Sequence, residues 1–204
     1  MKPDKAYPVP ARTVGAEMEI KRSRFIATVG KTGTADEARA FIEKARTRHP
    51  GARHHCWAFV AGPPVDGTPV GMSDDGEPGG TAGKPMLHLL QKEGIGEVAA
   101  VVSRYFGGIK LGTGGLVRAY AGTLKRALNE LPMEQVVPTQ SIRITLPYAH
   151  ENGVRRLLMR MRAKVVEARF GEQVEILAEV PKTTASEVQR RIHDETRGTG
   201  SIIE

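Results

Sequence analysis

The sequence predicts an α+β chain of two domains, residues 1–133 and 138–204. Three observations carry the prediction. Apolar residues recur at helical spacing in some segments, and in strand alternation or continuous runs in others. The segment Leu131-Pro132 to Val137-Pro138 interrupts both periods and makes a natural boundary. Beyond it the segments run β-α-β-β-α-β, the order of a ferredoxin-like split βαβ domain. Before it, strands and helices alternate in a βαβ arrangement. The 204 residues, 40% of them hydrophobic, supply enough apolar mass for a core. At about 150 residues per domain, that length fits one to two domains.

The first dozen residues are Pro-rich and predict irregular structure. Thr13 to Val29 alternates loosely and predicts two strands around Lys21-Arg22-Ser23-Arg24. Thr34-Ala35-Asp36-Glu37 is a capping box, in which Thr34 bonds the N3 amide and Glu37 reaches back. The helix behind it places Ala38, Phe41, Ile42 and Ala45 at helical spacing and stops at Arg48-His49-Pro50-Gly51. His54 to Ala61 reads as a strand. Gly62 to Gly83 has no period; so long a loop in a compact domain is functional or disordered. Lys84 to Lys92 reads as a helix through Met86, Leu87, Leu89 and Leu90. Val98 to Val102 is the continuous apolar run of a buried central strand. A glycine-rich turn, Gly107 to Gly115, then opens a helix from Leu116 to Leu131 with Val117, Tyr120, Ala121, Leu124 and Leu128 inward.

In the second domain Ser141 to Leu146 alternates as a strand. Glu151 to Met161 is a helix with Val154, Leu157, Leu158 and Met161 inward. Strands Lys164 to Phe170 and Val174 to Val180 meet at Gly171-Glu172-Gln173. Thr184 to Glu187 is a second capping box, opening a helix through Val188 and Ile192, and Gly198 to Ile203 is the last strand.

Composition removes several classes. Charged residues make up 26% with both signs mixed, which excludes a disordered chain. Gly and Pro show no fixed period, which excludes collagen-like or mucin-like sequences. No stretch approaches the roughly 18 apolar residues of a membrane span, and the N-terminus has no apolar core of a secretory signal. A cytoplasmic chain with no membrane partner is expected. The lone Cys56 makes no intramolecular disulfide and no cysteine-based zinc cage. The formal charge is +7. Up to Met133 there are 19 Lys and Arg against 13 Asp and Glu; after it, 11 against 10. A basic balance permits a polyanionic partner, and equally a soluble basic surface.

The informative segment runs from Met72 to Tyr120. Asp74, Asp75 and Glu77 lie within four residues, beside Thr81 and Lys84. Such an acidic loop can hold Mg²⁺ through water, or pair with Arg and Lys elsewhere, or simply form turns; whether it binds a metal is left open. Arg104 ends a buried strand, the glycine turn exposes backbone amides, and a helix begins beside it, which makes an anion site. Lys110, Arg118 and Arg104 add charge, Gly112, Gly114 and Gly115 supply backbone, and Thr113 offers a hydroxyl or an N-cap. No Gly-Lys-Ser/Thr closes the turn, so it is no Walker A. In His54-His55-Cys56-Trp57 only His54 and Cys56 share a strand face, and two ligands do not make a zinc site. Cys56 reads as core. No Gly-x-Ser-x-Gly elbow supports a hydrolase. Arg156 and Arg160 share a helix face, either an RNA-facing stripe or a solvated surface. Aromatics are 5%, with no run for base stacking, so a nucleic-acid contact would rest on backbone charge.

At Asp74-Asp75-Gly76-Glu77-Pro78, at Gly80-Thr81-Ala82-Gly83-Lys84-Pro85 and throughout Arg104 to Tyr120, the chain resembles the IMPACT/YigZ family, in its bacterial form. The strand start Arg53-His54-His55-Cys56-Trp57-Ala58 fits as well. The resemblance covers about Phe25 to Leu131, and the tail resembles the small C-terminal domain of bacterial members. One departure is Gly79, where the family pattern has Ser. The resemblance implies an N-terminal domain similar to the second domain of a small-subunit ribosomal protein and to a domain of elongation factor G. It implies a ferredoxin-like C-terminal domain similar to the last domain of that factor. It implies nucleic-acid binding or action at the ribosome, with no transferable catalytic residues and no cofactor. The eukaryotic members' competition for an activator of a stress kinase uses a further domain without counterpart in this sequence.

The leading expectation is a non-enzymatic, translation-associated regulator. It would hold RNA, free or on the ribosome, through Arg104, Lys110, Arg118 and the Gly107–Gly115 amides. One rival is an enzyme acting on a nucleotide or phosphorylated small molecule, with Mg²⁺ on Asp74, Asp75 and Glu77. Another is a protein-interaction module whose acidic loop binds a protein partner.

Overall fold

The computed structural model describes residues 4–203. The chain folds as two compact units, one built on Tyr7–Val136 and the other on the residues from Val137 onward together with Asp4–Ala6.

The N-terminal unit is a five-stranded antiparallel sheet with helices on both faces. Its elements are β2 (Val14–Ile20), β3 (Ser23–Lys31), α1 (Ala35–Arg48), β4 (His54–Val60), β5 (Val70–Ser73), α2 (Gly83–Lys92), β6 (Val98–Tyr105) and α3 (Thr113–Asn129). The strand order is β2-β3-β6-β4-β5. β6 therefore sits in the middle, and its apolar run divides between two faces. Ala99 and Val101 pack with Ala38, Ile42 and Ala45 of α1. Val98, Ala100 and Val102 pack with α2 and α3 through Met86, Leu90, Leu116, Tyr120 and Leu124. Two-faced burial is why this strand reads as continuous rather than alternating.

The strand pair β2–β3 turns at Lys21 and Arg22 alone, both with positive φ (48° and 64°), a two-residue hairpin turn. Ser23 is thereby freed to begin β3 and is fully buried. At α1 the Thr34 hydroxyl accepts from the Glu37 amide at 3.2 Å, while Glu37 accepts from the Gly33 amide at 2.7 Å, one residue earlier than the box predicts.

Three expectations need correction here. The Gly62–Gly83 stretch is not wholly loop, because Val70–Ser73 forms edge strand β5 against β4. The Pro-rich start and the boundary segment are not irregular either. β1 (Tyr7–Pro10) and β7 (Met133–Val136) pair antiparallel as a two-stranded ribbon. A ribbon has only edges, where proline's missing N–H faces outward and costs nothing. Finally, α3 begins at Thr113, so Gly114 and Gly115 lie inside the helix and not in the turn.

The C-terminal unit follows β8 (Thr139–Leu146), α4 (Glu151–Arg160), β9 (Lys164–Phe170), β10 (Val174–Pro181), α5 (Ala185–Glu195) and β11 (Ser201–Ile203). Its sheet order β11-β8-β10-β9 is the 4-1-3-2 arrangement of a βαββαβ unit. One sheet face buries Ile142, Ile144 and Ile176 against Val154, Leu158, Val188 and Ile192 of the two helices. The capping box at Thr184 does not form. A 3₁₀ turn precedes α5, and the Thr184 hydroxyl donates instead to the Pro181 carbonyl at 3.2 Å.

Candidate functional site

Antiparallel register places His54, Arg104 and Phe25 side by side at one end of the N-terminal sheet, on the face covered by α3. Arg104 is the pivot. Its Nη1 donates to Glu77 Oε1 at 2.7 Å, and both side chains are buried. The Tyr120 hydroxyl of α3 donates to that same oxygen at 2.7 Å. Arg104 Nη2 lies 3.4 Å from Ser23 Oγ, which also accepts from the Gly107 amide at 3.1 Å. The guanidinium carbon is 5.4 Å from the Phe25 ring centre and 5.5 Å from that of Phe106. Arg104 Nε is buried and has no hydrogen-bond partner among the described residues.

The three acidic residues each have separate work. Asp74 accepts the amides of Gly80, Ala82 and Gly83 at 2.7, 2.9 and 2.8 Å and so caps the start of α2, which has no side-chain cap of its own. Burial opposes its ionisation, but these three amides prevail and hold the carboxyl below the usual carboxylate range. Asp75 accepts from Arg46 at 2.7 Å and from the His55 amide at 2.6 Å. Glu77 faces Arg104 and Tyr120. The loop is therefore a set of internal partners, and its carboxylates do not converge on one Mg²⁺. Among the described residues no three His, Cys, Asp or Glu side chains group as metal ligands.

Glu77 and the glycine turn meet in a cleft of about 390 Å³. Arg104 and Glu77 are joined there by Arg53, His54, Pro78, Phe106 and Lys110, with Leu111, Gly112, Thr113 and Leu116 completing the lining. The three cationic side chains Arg53, Arg104 and Lys110 outnumber the one carboxylate, Glu77, in the lining. His54 is fixed by donating Nδ1–H to the Asp75 carbonyl at 2.7 Å.

Two glycines shape this wall. A Cβ at Gly107 would lie 2.0 Å from the Arg22 carbonyl, so only glycine lets the turn pass under the β2–β3 hairpin. Gly112 has φ +72° and is the N-cap of α3 without a side-chain hydrogen bond. Among the described residues the start of α3 therefore has no side-chain cap, and its first residue Thr113 lines the cleft with Lys110.

Two family models cover most of the chain: the Impact N-terminal domain matches residues 21–128, and a domain of unknown function, DUF1949, matches residues 144–199. The chain belongs to the IMPACT family. It is 42% identical over 195 residues to IMPACT family member YigZ of Escherichia coli (strain K12), covering 96% of each chain. It is 34% identical over 188 residues to IMPACT family member YvyE of Bacillus subtilis (strain 168), covering 92% of this chain and 86% of that one. A crystal structure described as that of a hypothetical protein, 41% identical, matches over 98% of both chains with a TM-score of 0.68. No helix among the described residues is long and apolar enough to cross a membrane.

Of the sequence-predicted anion residues in this IMPACT family chain, Arg104, Lys110, Gly112 and Thr113 line the cleft. Gly114, Gly115 and Arg118 lie along the first turns of α3 outside the lining, with the Arg118 guanidinium turned back near Gly114. Thr113 is the first helical residue and not the N-cap. Thr81 is buried and donates to the Pro78 carbonyl at 2.6 Å, whereas Lys84 is exposed on α2. Cys56 is fully buried and points its thiol at the Asp74 carbonyl, 3.0 Å away; burial pushes the thiol up to about 12. Sequence reasoning passed over Arg53 and Phe106 as site residues. The signal for Phe106 was its place two residues beyond Arg104, on the same side of the strand's alternation.

Proposed function

We infer that this IMPACT family chain is a translation-associated regulatory protein that binds RNA, free or on the ribosome, and that the Arg104 cleft is its contact. The observation that carries this reading is the meeting of Lys110, Arg53 and the uncapped start of α3 in one concave wall. Those are the groups that hold phosphate: mobile ammonium, planar guanidinium and backbone amides at a helix start. The excess of basic residues in the N-terminal unit supports it, since phosphate neutralisation supplies most of the affinity in such contacts. So do the implied likenesses to a ribosomal protein domain and to domains of elongation factor G. The engagement of all three acidic-loop carboxylates with protein partners removes the main support for the Mg²⁺-enzyme reading.

The test is anisotropy of a labelled RNA titrated with wild-type protein and with the Lys110→Ala/Arg53→Ala double variant, at low and at physiological salt. Each phosphate contact on a single strand contributes about −0.7 to the slope of log K against log salt, so the double variant should lose about 1.4. Equal affinity and equal slope in the two proteins would remove RNA from this cleft.

A further inference from the structure

We propose that the cleft seats one unstacked nucleotide of single-stranded RNA, its phosphate at Lys110 and the start of α3 and its base on the ring of Phe106. The proposal rests on the RNA reading above and adds which kind of RNA the site accepts.

Phe106 lies just past the end of β6, in the cleft wall, and is 43% exposed. It is held there and yet left open. The Arg104 guanidinium lies 5.5 Å from its ring centre and that of Arg53 5.9 Å. Arg104 in turn is locked by Glu77 and backed by Phe25. A ring anchored through a buried ion pair has lost its freedom before any ligand arrives, which is the preorganisation a stacking platform needs. An aromatic ring or an Arg plane accepts any base by its π-face, and a groove of positive charge follows the backbone beside it. Both parts occur in this cleft, and its volume of about 390 Å³ falls within the range of small-ligand sites.

The floor points the same way. Arg104 is 6% exposed, yet its Nε is without a hydrogen-bond partner among the described residues. A buried donor of this kind calls for an acceptor, and it belongs to a residue that lines the cleft. Glu77 does not repel the phosphate as a free carboxylate would, because the Arg104 and Tyr120 donors already converge on its Oε1. A duplex cannot use the site in this way. Its bases are paired and stacked, and the A-form major groove is too narrow to present a base face to a side chain.

The experiment titrates the full chain, at physiological salt, against three labelled RNAs of one length: a single strand, a hairpin duplex, and the single strand with one abasic position. Wild-type, Phe106→Ala, Phe106→Trp and Lys110→Ala proteins are compared. The single strand should bind at least tenfold tighter than the duplex. Phe106→Ala should weaken the single strand by about 5- to 100-fold, the worth of one stacked base, leave the salt slope unchanged, and be rescued by Phe106→Trp. The abasic strand should lose affinity for wild-type protein and show no further loss with Phe106→Ala, an arm that does not depend on the variant's folding. Equal binding of single strand and duplex, or of intact and abasic strands, with Lys110→Ala still weakening both, would overturn the base seat while the RNA reading stands. No binding of any RNA by wild-type protein would overturn both.

Discussion

The two units of this chain build their interiors from different materials. In the C-terminal unit the buried residues are isoleucine, valine, leucine, alanine and Pro181, and Thr196 is the one polar residue among those described as buried. The N-terminal unit buries Ser23, Thr32, His55, Glu77, Thr81, Ser103, Arg104 and Thr123 besides its apolar core. Apolar contacts tolerate small shifts, because dispersion is non-directional and each contact is weak. A buried ion pair does not, since each charge must be met at hydrogen-bond distance or its desolvation goes uncompensated. The N-terminal unit thus gives up stability that simple packing would supply and obtains an Arg104 held at one position beneath the cleft. Among its described residues the C-terminal unit carries no such cluster. The proposed function rests on the same contrast: the costly buried pair and the larger excess of basic residues both belong to the first unit.

The largest effect should come from breaking that ion pair. Glu77→Ala leaves Arg104 buried without its carboxylate and removes the acceptor of Tyr120, a loss of about 3–5 kcal/mol. In the C-terminal unit, Ile176→Ala should cost about 2–5 kcal/mol by leaving a cavity. Similar magnitudes would hide different causes, and a second change separates them. Pairing Glu77→Leu with Arg104→Met should recover most of the lost stability while weakening RNA binding, because well-packed apolar residues can replace an ion pair. Denaturant midpoints check this; a Glu77→Ala loss below about 1 kcal/mol, no more than an exposed pair is worth, would mean that the pair does not hold the wall.

Acid should separate the units next. Burial, and then the charge of Arg46, lower the pKa of His55, with Asp75 opposing. Its folded value is below that of the unfolded chain, so the unfolded chain takes the proton first. The stability this gives is complete above about pH 6.5 and falls as pH drops through the folded value. Asp74 is also lowered on folding, because its three amide partners prevail over burial. Its contribution is present above about pH 3.9 and is lost as pH falls through the folded value. Both groups belong to the N-terminal unit, so its unfolding should become easier in two stages on acidification. Unfolding midpoints measured from about pH 8 to about pH 2, past the carboxylate range, should show this, and His55→Gln should flatten the upper stage alone.

How much of this was legible depends on whether the signal was local. The run Val98 to Val102 announced a strand buried on both faces because every residue of it needed cover. Helices α1, α2, α4 and α5 declared themselves by periodicity. Strand β5 did not, for it has four residues and exists through its pairing with β4. The prolines of β1 suggested loop, and only the partner Met133–Val136 shows why they are tolerated. Gly114 and Gly115 concealed the first turn of α3, since glycine is a poor helix former and tertiary packing overrode that preference. In the site, Lys110, Gly112, Thr113 and Arg104 were readable from one contiguous segment. The pairing of Arg104 with Glu77 crosses 27 positions, and that with Ser23 crosses 81. Contacts of that separation leave no period in the sequence.

The smallest expected effect tests whether the acidic loop is as self-sufficient as its hydrogen bonds indicate. Gly79, where the family pattern implies serine, lies in the loop between Glu77 and the capped start of α2. It is exposed, its φ lies outside the left-handed region, and a Cβ built there would meet nothing within 4 Å. The residues on either side already have their partners: Asp74 receives the Gly80 amide, and the Pro78 carbonyl receives the Thr81 hydroxyl. Gly79→Ser should therefore change the unfolding free energy by no more than about 0.5 kcal/mol and leave RNA affinity untouched, because position 79 is outside the cleft lining. A change in affinity without a change in stability would mean that a ligand reaches past Pro78 onto this loop. The contact surface would then extend to the acidic side of the wall, and the hydroxyl would matter to a partner and not to the fold.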